Sequence, residues 1–172
     1  IPLYHDRMLG VFNFDSTGPG QYSEKDLDVL LTVAKHIAIA LENALLFEEI
    51  SKEKKEWERT FDALTDMVWI EDDRRQVVRA NQALLLRTGF SKEEIVRKRC
   101  RDLLERIGIP SGGCAGTPGM GGRSSFQELK GAAGALYHFW SYPLTDEEGR
   151  LYAVVSHLKD VTAQKQLEQQ LI

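Results

Sequence analysis

The sequence predicts an α+β fold: a five-stranded antiparallel sheet with small flanking helices, preceded by a β-hairpin and a long helix. Three observations carry that expectation. Two short β-runs surround the charged turn Asp72-Asp73-Arg74-Arg75, short helical pieces follow, and three further strand-like runs close the pattern. Strands gathered before and after a group of small helices, instead of alternating with long ones, favour an antiparallel sheet.

Taken in order, "IPLY" and "MLGVFNFD" read as two short strands joined by the polar turn His5-Asp6-Arg7. "STGPGQ" breaks the pattern with Gly and Pro. A helix should begin at Ser23, whose hydroxyl can cap the amide of Asp26 while Asp26 reaches back. Leu27, Leu30, Leu31, Ala34, Ile37, Ala38, Leu41, Ala44 and Leu45 then fall on one face. Beyond Phe47 the helix turns polar, and Ile50, Trp57, Phe61 and Leu64 continue a thin apolar stripe. A thin stripe on a charged helix suits a two-chain coiled coil, with a solvated linker helix as the alternative.

From Asp66 the rhythm changes. "DMVWIEDDRRQVVRAN" is a hairpin, "NQALLLRTGFSKEEIV" is two helical pieces broken at Gly89, and Ser91 and Glu94 form a capping box for the second. "RKRCRDLLERIG" is another helix. Gly108 to Gly122 holds half of the 14 glycines and reads as a long loop. "RSSFQEL", "ALYHFWSYPL" and "LYAVVSHLKD" are the last three strands, the final two joined by "TDEEGR".

The 172 residues, 42% of them hydrophobic, suffice for one full core plus a smaller unit. A formal charge of −4 supplies none of the dense basic surface that grips nucleic acid. The reading expects no apolar run near the roughly 20 residues that cross a bilayer, hence no membrane contact in these residues. Two cysteines are too few for a disulfide-stapled scaffold, which points to a reducing, cytoplasmic compartment.

Residues 60 to 162 resemble a PAS domain along its length. The resemblance rests on Asn81, on Gly89-Phe90-Ser91-Lys92-Glu93-Glu94, on Pro143-Leu144, and on Asp160-Val161-Thr162, which is similar to the D-I-T motif that ends such domains. Residues 1 to 50 resemble the last third of a GAF domain through "IPL", "LGVFNFD", "YSEKDLDVL" and "AIALENALLFEE". The organisation implied is a GAF fragment at 1–50, a coiled-coil-like linker at 51–60, a PAS sensor at 61–162 and the start of an output helix at 163–172. The resemblance implies a non-catalytic sensory and dimerisation module of a multidomain signalling protein, a bacterial sensor histidine kinase above all. It would form a homodimer through helices 23–64 and 163–172, take a small-molecule ligand and pass its signal to a downstream kinase or other output domain.

Asp160 and Thr162 offer side-chain oxygens at a strand-to-helix junction, where unpaired amides need acceptors, so they are the expected signal relay. Ala163, Leu167 and Leu171 stripe the following helix. Ser156-His157-Leu158-Lys159 looks like the start of a kinase phosphoacceptor box, but His157 lies in a strand-like run, Leu158 stands where an acid belongs, and no proline follows. His157 is expected to be a structural strand histidine. The glycine-rich 116–124 stretch lacks the lysine of a phosphate-binding loop, with Gly122 in its place.

Cys100 and Cys114 leave three readings open: ordinary thiols, a redox pair, or a metal site needing further ligands such as His138. A thiol- or metal-based redox switch is the alternative function. Trp69, Phe90, Leu103, Phe126, His138, Trp140 and Val155 are the expected pocket lining. The cofactor is unassigned, since a histidine in an apolar strand, such as His138, is usually hydrogen-bonded and structural, which argues against haem. No cysteine has the context of a flavin photoreceptor. With neither an activated nucleophile nor a metal cluster, no catalytic or metal residue is assigned.

Overall fold

The computed structural model describes residues 1–110 and 123–170, which separate into two compact units, Ile1–Glu58 and Arg59–Ile172. In the first, β1 (Pro2–Tyr4) and β2 (Met8–Val11) pair antiparallel, with Leu3 opposite Gly10. Helix α1 (Glu24–Ala63) opens as its sequence dictates: Ser23 N–H donates to Asp26 Oδ2 at 2.7 Å, and Asp26 N–H returns to Ser23 Oγ at 3.4 Å. Leu3 packs on Ala34 and Ala38, one helical turn apart, with Ile1, Leu9, Phe12 and Ile37 around them. Alanine at both positions lets the hairpin approach the helix closely.

Most of the remaining apolar face of α1 is exposed, including Leu27, Leu31, Leu41, Leu45, Phe47 and Ile50. The helix also contains an 18-residue window of mean hydropathy 1.6, long and apolar enough by composition to cross a membrane. This corrects the expectation that no such run exists, which counted uninterrupted apolar residues. Lys35 and Glu42 break the run without lowering its average below that level.

The second unit holds a five-stranded antiparallel sheet, with strands β3 (Met67–Asp72), β4 (Val77–Ala80), β5 (Ser125–Lys130), β6 (Leu136–Thr145) and β7 (Leu151–Asp160) in the order β4-β3-β7-β6-β5. Between β4 and β5 come α2 (Gln82–Thr88), α3 (Lys92–Ile95) and α4 (Cys100–Ile107), and α5 (Thr162–Gln170) follows β7. Local chemistry sets the breaks. Asn81 caps α2, Gly89 ends it with φ +74°, and Ser91 and Glu94 make the expected capping box of α3. The left-handed backbone at Gly89 brings its N–H onto Leu85 O at 2.8 Å, a conformation that a side chain would strain.

The core lies on the helix-covered side of this sheet. Trp69, Tyr137, Phe139 and Leu158 meet Leu84, Ile95, Leu103 and Leu104 there, all essentially without exposure. Trp69 and Phe139 stack with centroids 5.7 Å apart and planes 15° apart. Gly131 lies so near Tyr137 that an added Cβ would stand 2.8 Å from its ring. Tyr137 in turn has its hydroxyl bonded to Arg87 Nη2 at 2.9 Å, which ties β6 to α2.

Candidate functional site

Two helix junctions bracket the sheet. At the entering one, Asn81 is fully buried and its side chain makes four hydrogen bonds. Its Oδ1 accepts from Val68 N–H at 3.0 Å and Leu84 N–H at 3.2 Å, and its Nδ2 donates to Asp66 O at 2.9 Å and Leu64 O at 3.3 Å. One amide thereby joins the segment leaving α1 to β3 and to the start of α2. Asp62, in the last turn of α1, accepts from Gln82 N–H at 3.0 Å and pairs with Lys92 at 3.4 Å. The end of the entering helix is therefore fastened to the α2–α3 region through side chains.

At the exit, Asp160 Oδ1 accepts from Thr162 N–H at 3.0 Å and from Thr162 Oγ1 at 2.6 Å. The same Thr162 oxygen accepts from Leu136 N–H at 2.9 Å, and buried Val161 donates its N–H to Leu136 O at 2.9 Å. The first residue of β6 is thus held from both its polar groups, by Val161 just before α5 and by Thr162 at its start. The two residues expected from sequence do meet here; Leu136 was legible only as a strand residue.

His157 connects the two junctions. It lies in β7, three residues before Asp160, with Nε2 2.9 Å from Asp66 Oδ2 and its ring stacked on Trp140 at 4.8 Å. The strand setting matches the expectation for this histidine, and its carboxylate partner lies just before β3.

The expected pocket residues separate onto different surfaces. Trp69 and Leu103 are in the core, and Phe90 packs at its margin with Lys98 and Arg106 over its ring at 5.4 and 5.5 Å. Phe126, His138, Trp140 and Val155 lie on the opposite face of the sheet. The register decides this: Trp140 pairs with Phe126 and His157, whereas its neighbour Ser141 pairs with Ser125 and Ser156, and Ser156 with Trp69. Successive strand residues point to opposite faces, so the Trp140 set cannot share the face of Trp69. His138 lies edge-on to Phe126 and Trp140 and 3.3 Å from Glu128. Cys100 begins α4 in the core, and Cys114 lies outside the described residues, as does the near-phosphate-loop stretch before Arg123.

Sequence reasoning missed the polar members of the inner face. Glu71 is fully buried, its Oε1 accepting from Trp69 Nε1–H at 2.9 Å. Arg75 Nε lies 2.9 Å from Oε2, an ion pair whose N–H is not aligned for a hydrogen bond. Loss of water raises the Glu71 pKa, a shift that the Trp69 bond and the Arg75 charge only partly oppose. Ser125, Ser141 and Ser156 occupy one rung across β5, β6 and β7, and their buried hydroxyls have no hydrogen-bond partner among the described residues. Alternation of Ser141 with Phe139, and of Ser156 with Leu158, was the available signal. In the first unit, His5, Asp6 and Glu42 bring ligand-type atoms within 4.8 Å of one another, with His5 and Asp6 exposed.

Residues 1–42 match the model of the GAF domain and residues 65–118 that of the PAS domain. The chain thus contains a segment matching the GAF model followed by one matching the PAS model, and these matches support a signal-sensing role. It is 26% identical over 98 residues to a methyl sulfide methyltransferase-associated sensor of Methanosarcina acetivorans, an alignment covering 56% of this chain and 10% of that protein. The chain thus matches about a tenth of that relative's length. Among solved structures, the PAS domain of Bordetella pertussis BvgS superposes with TM-score 0.53 at 16% identity, covering 70% of this chain and 94% of that one. An RNA-binding light-oxygen-voltage receptor gives TM-score 0.53 at 21% identity, covering 69% of this chain and 36% of that one. At these identities the two structures speak to the fold alone.

Proposed function

We propose that the chain is a cytoplasmic relay and dimerisation module of a multidomain signalling protein, a sensor histidine kinase above all, without catalytic chemistry of its own. The observation that carries the reading is the clasp of Asp160 and Thr162 on Leu136. A displacement of β6 relative to β7 moves the acceptor and donor that hold the first turn of α5, so a change in the sheet reaches the outgoing helix with little slack. Asp66 and His157 bring the entering segment onto β7, only three residues from that clasp. Input by ligand and input by movement of the entering helix thus converge on one strand.

Exposed Ile50, Trp57 and Leu64 on the entering stripe and Leu167 on the exit helix support pairing of two copies. The test is Asp160→Ala in the full-length parent protein, with regulated output and unfolding measured together. The expected result is loss of the stimulus response with the PAS fold retained; an intact response overturns the relay.

A further inference from the structure

The seam in which Leu3 packs on Ala34 and Ala38 continues in polar form. His5 lies two residues beyond Leu3 in the chain, and Glu42 lies one helical turn beyond Ala38 on the same face of α1. The two meet there: His5 Nδ1 is 2.5 Å from Glu42 Oε2, and Asp6 Oδ1 is 3.8 Å from the same nitrogen. The Glu42 side chain is only 14% exposed, whereas that of Asp6 is 90% exposed. Among the described residues, neither carboxylate has a lysine or arginine within ion-pair distance. One imidazole facing two carboxylates leaves the charge unbalanced: a protonated ring offsets one negative charge, and a divalent cation offsets both.

We infer that His5, Asp6 and Glu42 form a binding site for a divalent transition-metal ion of the zinc class. The site lies in the first unit and is independent of the relay proposed above. Its ligand-type atoms all fall within 4.8 Å of one another. Tetrahedral zinc, with bonds of about 2.0–2.2 Å, separates its ligand atoms by roughly 3.3 Å. The observed 2.5 and 3.8 Å bracket that separation, so side-chain adjustments of under about 1 Å seat the ion. The imidazole nitrogen favours zinc over magnesium or calcium, which take oxygen donors. Three protein ligands leave a fourth position for water, and the exposure of Asp6 opens the site to exchange with solvent. The bound ion fastens the β1–β2 turn to the middle of α1, adding a bridge where the apolar contact of Leu3 ends.

Zinc chloride titrated into the 172-residue chain near pH 7, where the imidazole can release its proton to the ion, should show one saturable site by calorimetry. The same titration followed by nuclear magnetic resonance should shift the ring signals of His5 and leave those of His36, His138 and His157 in place. His5→Ala and Glu42→Gln should each weaken zinc binding by more than about tenfold, the scale on which even outer-shell partners of a metal change its affinity. Asp6→Asn should weaken it by about tenfold as well, and a side chain so exposed can change without disturbing the fold. Magnesium in about tenfold excess should leave the zinc affinity unchanged. Absence of saturable binding by about 1 mM zinc overturns the inference and leaves His5 and Glu42 as an ion pair only. Ring shifts confined to the other histidines, or an affinity indifferent to Asp6→Asn, overturns it equally.

Discussion

Replacing Asn81 with alanine removes four hydrogen bonds from a site with no exposure to water. The amide N–H groups of Val68 and Leu84 lose their acceptor, and both belong to buried residues. A buried donor left without a partner costs about 1–3 kcal/mol, so two cost roughly 2–6 kcal/mol, with about 4 kcal/mol as the working figure. Loss of the α2 cap is contained in the Leu84 contribution and is not added again. Against a typical domain stability of about 5–15 kcal/mol, the change removes a large fraction.

Asn81→Asp separates the two halves of the side chain. It retains an acceptor for Val68 and Leu84 but sets a carboxylate oxygen against the carbonyls of Asp66 and Leu64. It should therefore be destabilised strongly at pH 7 and less at pH 4, where a protonated carboxyl can again donate. Urea unfolding monitored by tryptophan fluorescence, with far-ultraviolet circular dichroism as the second probe, gives the midpoint change at constant slope. A loss below about 1 kcal/mol for Asn81→Ala would refute the view that this amide is the joint of the entering segment.

The pH dependence of stability should carry the mark of Glu71. Its native pKa is raised above 4.5, so the native state holds the proton more firmly than the unfolded chain does. The associated stability is fully present below about pH 4.5 and is lost as pH rises through the higher native value. Glu71→Gln should erase that decline, so its unfolding midpoint gains on the unaltered protein between pH 4 and pH 8; parallel profiles would reject burial as the dominant cause. Gly131→Ala should lose about 1–3 kcal/mol, because the added methyl meets the Tyr137 ring at 2.8 Å in a packed core. The same unfolding assay reads it, and an unchanged midpoint would show that Tyr137 moves aside freely.

Features written in a few adjacent residues were determined by the sequence alone. The Ser23–Asp26 and Ser91–Glu94 boxes, the break at Gly89 and the Asp146–Arg150 hairpin turn each rest on partners within four positions of one another. Asp160 as an acceptor for a helix-start amide, that of Thr162, was legible for the same reason. The attachment of Thr162 to Leu136 was not, because that partner is 26 positions away and becomes a neighbour only when β6 and β7 pair.

The division of the sheet into two faces belonged wholly to the tertiary structure. Apolar character marks Trp140 and Val155 as readily as Trp69, and a strand with large side chains on both faces gives no internal sign of which one faces the helices. Register supplies that sign. By placing Ser125, Ser141 and Ser156 in the rung of Trp69, it moved four aromatic or apolar residues out of the expected pocket and put three hydroxyls on the face that encloses the core. Local hydrogen bonds depend on a few torsion angles, whereas facing is a property of the whole pairing: a slip of one residue reverses it for every side chain in a strand.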